Sequence, residues 1–265
     1  IADKQQSARI KLLERGLSEK QIENVWTKAD DEYFVRESSA NIIWHTEGIA
    51  NFENENKPEG SPLILVKDFG ESTEGEGATQ VFIYTNNADF LFANSTAAFE
   101  KLNLNIYGAR VFTSANDHCM DTFTVLENTG LPVGKNQKRQ EEIRNVLTEH
   151  LAFGNKAIAP ARFRRSRKEK YFAKSIEVTF VNSPEKNYST LEVNCPDQPG
   201  ILASVGKILA TNGISLKDAR ITTLGERVED LFFITDKTGK PIEEKSLLEK
   251  LQSEIKTELE DRLAA

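Results

Sequence analysis

LEVNCPDQPGILASVGKILATNGISLKDARITTLGERVEDLFFITDKTGKP, residues 191–241, is the stretch whose reading decides the fold. Leu191, Val193 and Cys195 alternate with Glu192 and Asn194, the period-two pattern of a half-buried strand. Asp197-Gln198-Pro199-Gly200 breaks that strand and opens a helix, with Asp197 expected as the N-cap and Pro199 in the first turn. Ile201, Leu202, Val205, Ile208 and Leu209 fall on one helical face, and Asn212-Gly213 closes the helix. Residues 214–223 and 228–235 read as two further strands joined through Leu224-Gly225-Glu226. A strand that turns into a helix through D-x-P-G leaves free N–H groups at a helix N-terminus, a setting suited to a small carboxylate.

The same pattern occurs once more upstream. Aligning Val81 with Leu191 places Asn87 on Asp197, Leu91 on Ile201, Phe92 on Leu202 and Leu104 on Ile214. Ala109-Arg110-Val111 then falls on Ala219-Arg220-Ile221, and after a one-residue gap Asp121 meets Asp230 and Phe123 meets Phe232. This is a tandem duplication. Residues 63–69 precede the first copy as a short strand and 176–181 precede the second, while helices expected at 137–153 and 243–263 close them. No strand-like residues follow residue 263, and a hairpin can set each upstream strand beside the first strand of its copy. The predicted fold is therefore α+β, with two units in ββαββα order.

Residues 1–52 read as helical, with capping-box spacing at Ser18-Glu19-Lys20-Gln21 ahead of Ile22, Val25 and Trp26. Residues 51–62 read as a linker. His45 has no second His or Cys nearby, which favours a hydrogen-bonded structural histidine over a ligand. Cys119 and Cys195 make neither a disulfide framework nor a zinc site and read as small buried residues, in keeping with a reducing cytoplasm. The net charge of −7 argues against nucleic acid as the main partner, and no apolar run is long enough to span a membrane. Six of the nine residues at 162–170 are basic, and the stretch reads as a solvated linker between the two units.

The residues DQPGIL, followed by VGKILATNGISLKDARITTLGERVEDLF, resemble the ACT domain, a small amino-acid-sensing module with a ferredoxin-like βαββαβ fold, which implies that the two ββαββα units are tandem ferredoxin-like domains in permuted order, the upstream strand taking the place of the last one. ARITTLGERVEDLF carries the most specific part of the likeness, which is to the last ACT domain of bifunctional uridylyltransferase/uridylyl-removing enzymes acting on the PII nitrogen-signalling protein. DEYFVR (31–36) and WHT (44–46) are similar to the junction that follows the HD hydrolase domain in that family. The resemblance implies a helical segment at 1–52 after an HD domain, ACT domains at 63–153 and 176–265, and a basic linker at 154–175. It implies glutamine as ligand, PII as a partner through the full-length enzyme, ACT–ACT pairing within the chain or in a dimer, and magnesium only in catalytic domains outside this stretch.

The expected ligand site is Asp197, Gln198, Pro199, Gly200, Ile201 and Leu202: turn N–H groups for the carboxylate, Asp197 or a strand carbonyl for the ammonium, Gly200 for close approach. A weaker second site falls at Asn87, Ala88, Asp89, Phe90 and Leu91, where the Pro-Gly turn is lost and Phe90 replaces Gly200. Asn87 can still cap its helix and Asp89 can still meet an ammonium. No phosphate-binding Gly-rich loop, Cys-x-x-Cys or His-Glu-x-x-His occurs, and His45, His118 and His150 are spread along the chain, so no catalytic or metal set is expected. Two other readings are a tandem ACT region of an amino-acid biosynthetic enzyme, and a nucleic-acid-binding ferredoxin-like module presenting Tyr107, Phe112 and Phe123 on its sheet.

Overall fold

A computed structural model of the chain describes residues 2–55, 58, 60–70, 77–114, 117–159, 176–183, 185–224 and 226–264. The basic run at 162–170 and most of the turn at 70–77 lie outside them. Four helices come first: α1 (Ala2–Glu14), α2 (Glu19–Trp26), α3 (Asp31–Arg36) and α4 (Ser39–Glu53). The first repeat copy follows as β1 (Leu63–Phe69), β2 (Ala78–Asn86), α5 (Leu91–Lys101), β3 (Leu104–Arg110), β4 (His118–Glu127) and α6 (Gln137–Leu151). The second is β5 (Glu177–Asn182), β6 (Ser189–Pro196), α7 (Ile201–Thr211), β7 (Ser215–Arg220), β8 (Thr223–Leu224), β9 (Arg227–Thr235) and α8 (Lys245–Ala264). Both copies thus have the expected ββαββα order, the second with the two-residue β8 inserted between β7 and β9. The upstream strands pair as expected: β1 neighbours β2, and β5 pairs antiparallel with β6, Val178 opposite Val193.

The chain divides into two compact units. Unit 1 holds Ile1–Val66, Val81–Asn87 and Phe112–Thr122. Its core joins Leu12, Ile22, Trp26, Phe34, Ile42 and Ile49 of the helices to Leu63, Phe82, Tyr84, Phe112 and Met120. The helices start where polar caps dictate. Ser18 forms the full capping box with Gln21, and the side chains of Asp30 and Ser38 accept from the N–H groups of Tyr33 and Asn41. α4 runs on to Glu53, three residues into the stretch expected as linker. His45 is buried, stacks on Phe82 with ring centroids 3.7 Å apart, and shares a 2.9 Å hydrogen bond between Nδ1 and the Tyr33 hydroxyl. That is the structural role its isolation in the sequence indicates.

Unit 2 holds Lys67–Gln80, Ala88–Val111 and Phe123–Ala265. The strands that lie wholly within it run in the order β3-β7-β9-β6-β5, with β8 on β9. In the second copy Leu191, Val193 and Cys195 of β6 and Phe232 and Ile234 of β9 are fully buried, and α8 adds Leu251, Ile255 and Leu259 at four-residue spacing. The two copies meet at β3 and β7, which pair antiparallel with Ala109 opposite Ala219. These are equivalent residues of the repeat, so the pairing has the self-complementary form of a two-fold axis. Two further bonds obey the same symmetry: the Val111 N–H donates to the Lys217 carbonyl at 3.0 Å, and the Ile221 N–H donates to the Tyr107 carbonyl at 3.1 Å. Above the sheet α5 packs on α7, where a Cβ at Gly206 would stand 2.6 Å from the Phe92 ring.

The long strands expected at 104–114 and 214–223 are interrupted at the same place in both copies. The N–H of Phe112 donates to Asp121 Oδ1 at 3.3 Å and that of Thr222 to Asp230 Oδ1 at 3.4 Å, so a side chain takes the place of a ladder carbonyl. Asp121 is fully buried, and its Oδ2 has no hydrogen-bond partner among the described residues. Burial pushes its carboxyl up to about 8, against the opposing pull of the Phe112 N–H. An unfolded aspartate ionises at ~4, so between that pH and about 8 the native state holds the proton while the unfolded chain has lost it. The stability that Asp121 contributes is present at acid pH and is lost as pH rises towards about 8. Urea unfolding at pH 5 and pH 8 should show the parent chain losing stability over that interval, and Asp121→Asn losing less by on the order of 2–4 kcal/mol.

Candidate functional site

The helix starts differ in a way that singles out the repeat turns. α6, like α2–α4, has a side-chain cap, with Asn136 accepting from the Arg139 N–H. The two repeat helices do not. α7 has Gly200 as its N-cap with φ 82°, α5 has Phe90, and neither has a side-chain cap bond. The expected caps are therefore corrected: the N-cap positions are Phe90 and Gly200, not Asn87 and Asp197. Their backbone N–H groups instead tie the turns to the hairpins, Asn87 to the Asp117 carbonyl at 2.9 Å and Asp197 to the Glu226 carbonyl at 2.8 Å. The Asn87 side chain is committed to Asp117 and Cys119. Pro199 lies before the cap rather than inside the first turn, and its carbonyl accepts from Arg262 of α8. At the other end α7 closes as expected, with Gly213 at φ 69° and the Ile214 N–H on the Leu209 carbonyl at 2.9 Å.

The uncapped start of α7 opens on a cavity of about 300 Å³. All six residues expected at the ligand site, Asp197, Gln198, Pro199, Gly200, Ile201 and Leu202, line it. Ile221, Thr223, Val228 and Asp230 form its second-copy floor, and Thr96, Glu100, Asn103, Leu104, Asn105, Ile106 and Asn128 its first-copy wall. The first-copy turn, Asn87, Ala88, Asp89, Phe90 and Leu91, does not contribute to this cavity. There the Asp89 N–H is held by Asn155 at 3.0 Å and the Leu91 N–H by the Ala88 carbonyl at 3.2 Å.

Among the lining residues outside the expected turn, Asp230 is the buried acid. It is 2% exposed, and Val228, two residues away on the same strand face, lines the cavity with it. Burial pushes its carboxyl up to about 7, the Thr222 N–H opposes this, and the Asp197 charge adds to it. The available signal was the repeat itself, which sets an acid at the same place in the apolar strands CMDTF and VEDLF. The cavity lining contains Glu100, Asp197 and Asp230 and no Lys, Arg or His, so a bound carboxylate meets uncharged N–H and O–H donors there, and the only charged groups on the lining that a bound cation can meet are carboxylates.

The aromatic surface needed for a nucleic-acid module is not formed, since Phe112 and Phe123 are buried and of the three only Tyr107 is exposed. Among the described residues no group of His, Cys, Asp and Glu could hold a metal ion, and no helix is long and apolar enough to cross a membrane. Cys119 and Cys195 are buried and form no disulfide with one another.

Gly200 has a left-handed backbone that side-chain-bearing residues adopt at a cost of roughly 1–2 kcal/mol. Gly200→Ala should lower stability by about that amount in urea unfolding, whereas Pro199→Ala should change it by less than about 1 kcal/mol.

Two families match the chain: residues 1–48 match the one described as "Uridylyltransferase GlnD fifth domain", and residues 189–255 the ACT domain. The chain is 39% identical over 255 residues to a bifunctional uridylyltransferase/uridylyl-removing enzyme of Pseudomonas fluorescens, covering 96% of this chain and 28% of that protein. It is 40% identical over 263 residues to the enzyme of the same name from Azotobacter vinelandii, and 38% identical over 260 residues to that of Stutzerimonas stutzeri, each covering 98% of this chain and 28% of the relative. The chain thus spans little more than a quarter of the length of the curated relatives it matches. Along nearly all of its own length it is a relative of one stretch of the bifunctional uridylyltransferase/uridylyl-removing enzymes, a stretch that includes an ACT domain.

Proposed function

We propose that this chain is the glutamine-sensing regulatory region of a bifunctional enzyme that uridylylates the PII protein and removes the uridylyl group, working in the cytoplasm. Residues 1–52 are then the segment that follows the HD hydrolase domain, 63–153 the first ACT domain, 154–175 the linker and 176–265 the second ACT domain. The observation that carries the reading is the cavity at the uncapped N-terminus of α7, lined from both repeat copies and holding buried Asp230. A free amino acid offers a carboxylate and an ammonium, and the cavity offers N–H donors and carboxylates with no competing cation on its lining. The relatives' names and the two family matches supply the enzyme to which such a sensor belongs.

Because the cavity takes residues from both copies, a ligand there favours the arrangement in which they meet as they do here. Regulation is then a population shift, with the ligand binding one arrangement of the enzyme better than another. Titration calorimetry of the 265-residue chain against all twenty amino acids tests the reading. L-glutamine should bind, and Gly200→Trp should abolish binding while the circular dichroism of the sheet is kept. Preference for Ser, Phe, Lys or Thr would instead indicate the regulatory region of a biosynthetic enzyme.

A further inference from the structure

We propose that Asp230, and not the exposed Asp197, receives the ligand's ammonium group, so that the cavity selects free zwitterionic amino acids and takes them up with release of a proton. This rests on the amino-acid-sensing reading above and names the group that does the selecting.

The argument starts from burial. A carboxylate that is 2% exposed needs a partner, because an isolated buried charge is expensive. The only hydrogen bond to the Asp230 side chain among the described residues is a long one, 3.4 Å, from the Thr222 N–H to Oδ1, and the carboxyl enters no ion pair among them. Its helix-side neighbours supply no cation. Across β6 it faces Val193, with Cys195 next along that face, and on β7 the residue of the same face is Ala219. The turn before α7 brings Asp197 and α5 brings Glu100, both acids. From α8, Arg262 is turned to Pro199, Ser204 and Glu258. The cavity therefore sets a buried, uncompensated carboxyl and an uncapped helix N-terminus on one lining, which is the charge pattern of an α-amino acid in reverse.

With the cavity free of ligand, burial holds the Asp230 proton on up to about pH 7. An arriving ammonium supplies the missing positive charge. The carboxyl O–H bond then breaks, the proton leaves to solvent, and the carboxylate accepts hydrogen bonds from the ammonium. No electrons move and no other bond is made or broken. Below pH 7 each ligand bound should release up to one proton, and affinity should rise by up to about tenfold per pH unit, levelling above it.

The test is titration calorimetry of the 265-residue chain with L-glutamine between pH 6 and 8.5, in two buffers of different ionisation enthalpy. Proton release at pH 6 that vanishes at pH 8.5 is the expected result. Asp230→Asn should bind roughly 10- to 100-fold more weakly with no proton released, while Asp121→Asn, the same change at the equivalent place in the repeat, should bind as the parent does. N-acetyl-L-glutamine, which lacks the ammonium, should not bind the parent chain. That ligand and the proton count decide the matter if Asp230→Asn melts out. Unchanged affinity and proton release in a folded Asp230→Asn, or N-acetyl-L-glutamine binding as tightly as glutamine, would overturn the assignment and leave the sensing reading standing. A folded parent chain that binds none of the twenty amino acids would overturn both.

Discussion

The feature on which the rest depends is the antiparallel meeting of β3 and β7 at Ala109 and Ala219. Two small residues at equivalent places in the repeat let the two backbones run side by side, and the reciprocal bonds at Val111 and Ile221 fix the register. A one-residue slip would break both bonds and turn the helix-facing residues outward. With the register fixed, α5 and α7 are brought together, and Gly206 is the point at which the Phe92 ring can lie close against the neighbouring helix. The cavity follows from this arrangement, since the start of α7 faces the end of α5 and the first residues of β3 only when the strands are paired in this way.

The repeated aspartates show how one sequence device serves twice. Each accepts an N–H from the partner arm of its hairpin and so ends a strand. Each sits in a setting that favours the protonated form, and the cause in both is burial without a counter-charge. They differ in surroundings. Asp121 belongs to a closed core beside Cys119, whose thiol is likewise pushed up by burial. Asp230 lines a cavity. The duplication supplied the same carboxyl to both copies, and the space in front of Asp230 distinguishes a structural acid from one available to a ligand.

Much of the fold is legible in the sequence because it rests on periodic burial. Leu191, Val193 and Cys195 alternate as a strand covered on one face must, and the repeat carries that reading to the first copy. The ββαββα order followed from counting strands. What local rules misread were the places where tertiary bonds override them. Asp197 looks like a cap because it precedes a helix, but the left-handed Gly200 sets the helix start, and Asp197 is held by Glu226 across the hairpin. Periodicity overruns the strand ends because a side chain accepting from a backbone N–H leaves no mark in hydrophobic periodicity. Asp230 was passed over because a single acid in a strand reads as a solvent-facing residue, and only its recurrence as Asp121 argues otherwise.

The two copies also differ on the face turned away from the repeat helices. In the first copy Phe82, Tyr84 and Met120 are buried in the core of the N-terminal helices. The aligned residues of the second copy are Glu192, Asn194 and Glu229, the last of them exposed. The duplicated modules are consequently not interchangeable parts. A chain built from two second-type copies would present its helices with acids and an amide where they need aromatic surface. A chain built from two first-type copies would carry a spare greasy plate, prone to stick to whatever it met. Divergence after duplication thus left the fold of each module intact and gave them separate trades, one as the seat for the preceding helices and the other free to remain open to water.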